Sequence, residues 1–147
     1  MKIREKEYYQ AEKEYYQIGE VASMLGITTR TIRYYEEIGL MTHPKRLDGG
    51  IRVYTKEDVK RLKFILKLKE LGISLKEMHE LADIYETYKT QDIIMPKLIE
   101  ILDNHITKID EKIAKLGSLR NDILQYKQKV IGIIQKNKSE GKKWKNL

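Results

Sequence analysis

Between Leu102 and Ile133 the apolar residues fall at a spacing that leaves little choice of structure. Leu102, Ile106, Ile109, Ile113 and Leu116 step by 4, 3, 4 and 3, and Leu119, Ile123, Tyr126, Val130 and Ile133 repeat those steps. This is the a/d spacing of a coiled coil, where one narrow stripe of a helix meets another helix. The join from Leu116 to Leu119 is a second consecutive step of 3, with Gly117 and Ser118 inside it. Such a join breaks the heptad phase, so a local kink or overwinding is expected there. At 1.5 Å per residue, about 40 residues make a helix of roughly 60 Å. A small domain cannot cover so long a stripe, and a partner chain is its natural cover.

The remainder of the 147 residues suffices for one small domain. No apolar run approaches the roughly 18 residues that a membrane-spanning helix needs, so no membrane partner is expected. Met1–Glu14 is charged and lacks the apolar core of a secretory signal. The net charge of +7 favours a polyanionic partner such as nucleic acid. Cysteine is absent, which removes disulfides and thiolate metal sites and suits a cytoplasmic protein.

Two short helical patterns precede Pro44. Ile18, Val21, Ala22 and Leu25 share one face of the first, and Ile32, Tyr35 and Ile38 one face of the second. Gly26-Ile27-Thr28 between them reads as a turn followed by a Thr28 N-cap. Two helices joined by a tight glycine-containing turn make a helix-turn-helix candidate. The Thr28 cap places Thr29 and Arg30 in the first turn of the second helix, the part that meets base edges in a major groove. Arg30, Arg33, Tyr34 and Glu37 then share a face, with Ile32 and Tyr35 opposite, packed on the first helix. Tyr35 is expected to keep its ring in the core and leave its hydroxyl for a phosphate.

A polar, glycine-rich loop follows, then Ile51 and Val53 alternating with Arg52 and Tyr54. Period two beside Gly49-Gly50 reads as a small β-hairpin with a basic tip. Arg46 and Arg52 are placed for phosphate contacts, and Tyr54 for a hydroxyl donor; such contacts set register rather than read sequence. Thr55 and Asp58 approximate a capping box before a helix with Val59, Leu62, Ile65, Leu66 and Leu71 on one face, which Gly72 ends. Ser74 and Glu77 form a full box before another, with Leu75, Met78, Leu81, Ala82 and Tyr85 inward. Pro44 and Pro96 mark the joints of the chain.

The segment Tyr16-Gln17-Ile18-Gly19-Glu20-Val21-Ala22 through Thr31-Ile32-Arg33-Tyr34-Tyr35-Glu36 to Gly39-Leu40 resembles the mercury-resistance regulator (MerR) family. So do the wing, Arg46 with Gly50-Ile51-Arg52-Val53-Tyr54, and the segment Leu71-Gly72-Ile73-Ser74-Leu75-Lys76-Glu77-Met78. The likeness covers Tyr16–Tyr85, with its pieces in order and at the family's spacing. One departure is Ile51, where the family usually has an aromatic residue; Ile51 could fill the same apolar site.

The resemblance implies a mainly α fold, a winged helix-turn-helix domain followed by a long dimerisation helix that forms an antiparallel coiled coil. It implies that Arg33 and the pair Tyr34 and Tyr35 touch DNA. It also implies a homodimer on a palindromic operator in double-stranded DNA, distorting promoter DNA so that RNA polymerase can use it. The family's metal sensors use cysteines that this chain lacks, and its multidrug sensors carry a further domain for which too few residues follow Ile134. A small apolar effector at the dimer helix, a partner protein or no effector remains. Tyr85 and Tyr88 are candidates to line an effector pocket, with a satellite core as the competing reading.

The expected organisation is an N-terminal extension at 1–15, the DNA-binding domain at 16–89, the dimerisation helix at 90–135 and a basic, flexible tail at 136–147. The repeated Glu7-Tyr8-Tyr9-Gln10 and Glu14-Tyr15-Tyr16-Gln17 leave the extension open between a packed helix and a frayed terminus. His43, His79 and His105 lack ligand spacing, so neither metal nor cofactor is expected. No nucleophile, paired-carboxylate or phosphate-loop arrangement suggests an enzyme. The competing class is an architectural DNA-binding protein of the recombination directionality (excisionase-like) type, which usually lacks so long a helix.

Overall fold

Residues 14–42, 44–47, 49–89 and 91–141 are described by a computed structural model. Helix α1 (Ile18–Leu25) stops at Gly26, whose φ of 65° is the left-handed conformation that glycine adopts without a Cβ penalty. The Gly26 and Ile27 N–H groups both return to the Ala22 carbonyl. Thr28 then caps helix α2 (Thr29–Glu37), its Oγ1 accepting from the Thr31 N–H at 3.1 Å. The tight turn sets the two helices together over Val21, Ala22, Ile32 and Tyr35, all buried. Behind α2 the chain folds back, and the Leu40 and Met41 N–H groups both donate to the Tyr35 carbonyl.

The wing is a two-stranded antiparallel hairpin, β1 (Lys45–Arg46) and β2 (Arg52–Val53), with Lys45 opposite Val53 and Arg46 opposite Arg52. Gly49 and Gly50 close it at φ of 88° and 80°, so the turn needs residues that tolerate positive φ. Beyond β2 a bridge not anticipated from sequence joins Tyr16 to Tyr54, each N–H donating to the other's carbonyl at 2.8 Å. The approach to α1 is thereby stitched to the exit of the wing. Val53 and Tyr54 turn inward, whereas Ile51 is about half exposed and does not fill an apolar site.

Helix α3 (Lys56–Glu70) opens on a complete box, Thr55 N–H to Asp58 Oδ2 at 2.8 Å and Asp58 N–H to Thr55 Oγ1 at 3.2 Å. Its buried face is Val59, Leu62, Ile65 and Leu68. Leu71 is exposed, because it is the C-cap and lies past the last packed turn. Helix α4 (Leu75–Tyr88) carries the expected Ser74–Glu77 box and buries Met78 and Leu81. Leu75 and Tyr85 are exposed rather than inward, and Ile73, just before the cap, is buried in their stead.

Arg61 of α3 holds the corner together. Its Nε donates to the Leu40 carbonyl at 2.7 Å, its Nη1 to Glu86 at 3.3 Å, and its guanidinium stands 5.9 Å from the Tyr85 ring centre. Lys89, then Arg61, hydrogen-bond the Glu86 carboxyl and hold it below the usual carboxylate range.

Helix α5 (Gln91–Glu140) begins before Pro96, which lies in its second turn instead of marking its start. The proline costs one bond to the carbonyl four residues back, a loss the long helix absorbs. The helix passes unbroken through Gly117 and Ser118 and continues past the expected end at 135 to Glu140. The rest of the basic tail, 142–147, and the extension with its first tyrosine pair, 1–13, lie outside the described residues. Two compact units meet within α5, one ending at Leu98 and the other starting at Ile99. In the second unit Ile106, Ile109, Ile113, Leu116, Leu119, Ile123 and Tyr126 are each more than half exposed, and Leu102 is half-buried.

Candidate nucleic-acid interface

The first turn of α2 presents Thr29, half-buried, and Arg30, exposed. One turn on, Arg33 and Tyr34 are exposed, Tyr34 at 44%. Tyr35 is only 2% exposed, its ring centre 5.6 Å from that of Tyr34. Helical spacing separates the adjacent tyrosines, one outward with the arginines and one into the core.

The wing sets Arg46 and Arg52 directly across from each other. Like charges in such a cross-strand pair repel, and an anion between them removes the penalty. Arg46 Nη1 donates to the Gly50 carbonyl at 3.0 Å, which fixes its side chain along the hairpin. None of Arg30, Arg33, Arg46 and Arg52 forms an ion pair with another described residue.

Tyr54 departs from expectation. It is 0% exposed, and its hydroxyl donates to Glu36 Oε1, so it has no face for a phosphate. Tyr35 keeps its ring in the core as expected, and little of it is left exposed. Burial first, then the hydrogen bond to Glu36, pushes the Tyr54 phenol well above its ordinary value. Arg52 and Arg33 act on the same phenol in the opposite sense. Arg33 of α2 and Arg52 of the wing thus both act electrostatically on the Tyr54 phenol. The Tyr54–Glu36 link joins helix and hairpin through a partly buried, charge-assisted bond.

Glu36 and Arg61 are the residues that sequence reasoning missed. Neither has a local signal, since each acts on a partner 18 to 25 positions away. A groove of about 460 Å³ lies among α3, α4 and the start of α5, lined in part by Phe64, Leu68, Met78, Tyr85 and Met95. Tyr85 lines it, and Tyr88 does not. No group of three or more metal-ligating side chains occurs among the described residues, and His43 lies outside them. No helix among the described residues is long and apolar enough to cross a membrane.

Residues 16–83 match the family described as MerR HTH family regulatory protein, and residues 59–126 match MerR, DNA binding. The chain is 37% identical over 114 residues to the HTH-type transcriptional regulator ZntR homolog of Haemophilus influenzae, spanning 78% of this chain and 82% of that one. It is 35% identical over 136 residues to the HTH-type transcriptional regulator YfmP of Bacillus subtilis, spanning 83% and 97%. Among solved structures it resembles HiNmlR, a MerR family regulator lacking the sensor domain, bound to promoter DNA. The TM-score is 0.54 at 30% identity, over 87% of this chain and 92% of that one. These likenesses favour a transcription regulator over the excisionase-like alternative.

Proposed function

The chain belongs to the MerR family of DNA-binding transcription regulators, and on that premise we propose that it works as a homodimer, each protomer gripping one half of a palindromic operator with α2 and the wing. Thr29, Arg30, Arg33 and Tyr34 read the major groove. Arg46 and Arg52 anchor phosphates on either side of the hairpin. Tyr35 and Tyr54 hold these groups in place and touch no DNA. The observation that carries this reading is the set of four exposed arginines on α2 and the wing, none with an acidic partner among the described residues.

The long helix supplies the dimer. Leu102, Ile106, Ile109, Ile113, Leu116, Leu119 and Ile123 make the contact in an antiparallel coiled coil, which sets the distance between the two reading helices. The operator lies in a promoter, by likeness to the relative bound there, and distortion of that DNA presents it to RNA polymerase. This work takes place in the cytoplasm, and no enzymatic activity forms part of it. For a small apolar effector, the groove beside Phe64 and Tyr85 offers a seat.

The test is a salt-matched titration on a duplex carrying the inverted repeat of this gene's own promoter region. Arg33→Ala should cost about 1–3 kcal/mol of specific binding while the circular dichroism spectrum is unchanged. Unchanged affinity for that duplex would remove Arg33 from the interface.

A further inference from the structure

The apolar stripe of α5 has a symmetry that its heptads alone do not require. Extended by one position to Ile99, itself exposed, it reads outward from Leu116 as steps of 3, 4, 3, 4 and 3 in both directions. Ile113 and Leu119 are equidistant from Leu116, as are Ile109 with Ile123 and Ile106 with Tyr126. The two consecutive steps of 3 that break the heptad phase are the centre of this palindrome. In the first half Leu116 occupies a d position, and in the second an a position. Reversal about Leu116 thus turns every a into a d, the match that antiparallel helices need in each core layer.

We infer that a second copy of this chain packs antiparallel on this stripe with the two-fold axis at Leu116, so that Leu116 meets the partner's Leu116 and Ile106 meets the partner's Tyr126. The inference rests on the homodimer reading above and adds its register. An isologous interface demands that if residue i meets j, then j meets i, which the palindrome satisfies at every layer.

Charge supports the same register independently. On the flank that follows each d position, the first half carries Asp103 and Asp110 and the second half Arg120 and Lys127. Antiparallel pairing runs this flank against itself in reverse, which sets Asp110 near the partner's Arg120 and Asp103 near the partner's Lys127. On the other flank Lys112 approaches the partner's Asp122. A parallel, in-register pair would instead place Lys115 beside the partner's Arg120. None of Asp103, Asp110, Lys112, Arg120, Asp122 and Lys127 forms an ion pair with another described residue of its own chain.

Gly117 fits the axis as well. A glycine weakens a helix interior, and a Cβ added at Gly117 would meet nothing within 4 Å, so the single chain gives no reason for it. Beside a two-fold axis, where overwinding brings the helices together, it admits close approach of the partner's backbone.

The chain has no cysteine, so single introduced thiols report without background. Leu116→Cys, oxidised with copper phenanthroline, should form a disulfide-linked dimer alone. Ile106→Cys alone should not link, because its two copies would stand about 30 Å apart. A refolded mixture of Ile106→Cys and Tyr126→Cys should link. The mixture of Ile109→Cys and Ile123→Cys gives a second reading at a different layer, and carries the test if Leu116→Cys loses its helical circular dichroism. Self-linking of Ile106→Cys, or failure of both mixtures in a chain that sediments as a dimer, overturns the register and leaves the homodimer standing. A parent chain that sediments as a monomer at micromolar concentration overturns the homodimer reading itself.

Discussion

Tyr54 and Glu36 are linked across 18 positions of sequence, and the link ties α2, which carries Arg33, to the end of the wing, which carries Arg52. Removing the phenol oxygen leaves Glu36 half-buried without its donor. Tyr54→Phe should therefore lower unfolding stability by about 1–3 kcal/mol in urea titrations. The pH dependence follows from the direction of the shift. The folded state keeps the Tyr54 proton to higher pH than the unfolded chain, whose phenol titrates near 10. The stabilisation is whole below about pH 10 and is lost as pH rises toward the folded value. Alkaline destabilisation should accordingly be shallower in Tyr54→Phe than in the parent. Arg52 belongs to a different balance, because it faces Arg46 across the wing. Arg52→Ala should leave unfolding stability unchanged or slightly raised, and should reduce the salt slope of DNA binding by about one.

The elements form where short-range chemistry points to one answer. Thr28, Thr55 and Ser74 cap their helices, Gly26 ends α1, and Gly49-Gly50 turns the wing; each signal lies within four residues of its effect. What sequence misplaces is what tertiary neighbours decide. Tyr54 looks like a hydroxyl donor to phosphate, yet it is buried and its hydroxyl is spent on Glu36. Leu75 and Tyr85 have the periodicity of an inward face, but Leu75 opens α4 and stays exposed, and Tyr85 lines an open groove beside Arg61 instead of a closed core. Pro96 sits inside α5 because one missing bond is small against a helix this long. The α4 C-cap carries a cost of its own, Lys89 at φ 54°. Lys89→Gly should relieve it by up to about 1 kcal/mol, less the small loss of the exposed Glu86 pair, and raise the melting temperature. In α5 the flank charges predict a swap: Asp110→Lys should weaken the dimer by about 1 kcal/mol, and adding Arg120→Glu should restore it in sedimentation equilibrium.

At the scale of the molecule, two weak arms become one strong grip only if something holds them together. Ile109→Asp with Ile123→Asp puts charge in the middle of the stripe and should give monomers that retain α1–α4. Without the tether the second arm no longer binds at high effective concentration. Operator affinity should then fall by roughly 10²-fold or more, as gel-shift titration would show. The stripe also sets rules for inheritance. A mutation anywhere along it is expressed in two layers, each time against the unmutated mate of its pair. Leu116 is the exception, because there a changed residue meets its own copy. After a gene duplication, that one codon is where a daughter regulator can most directly learn to prefer itself and stop mixing with its parent.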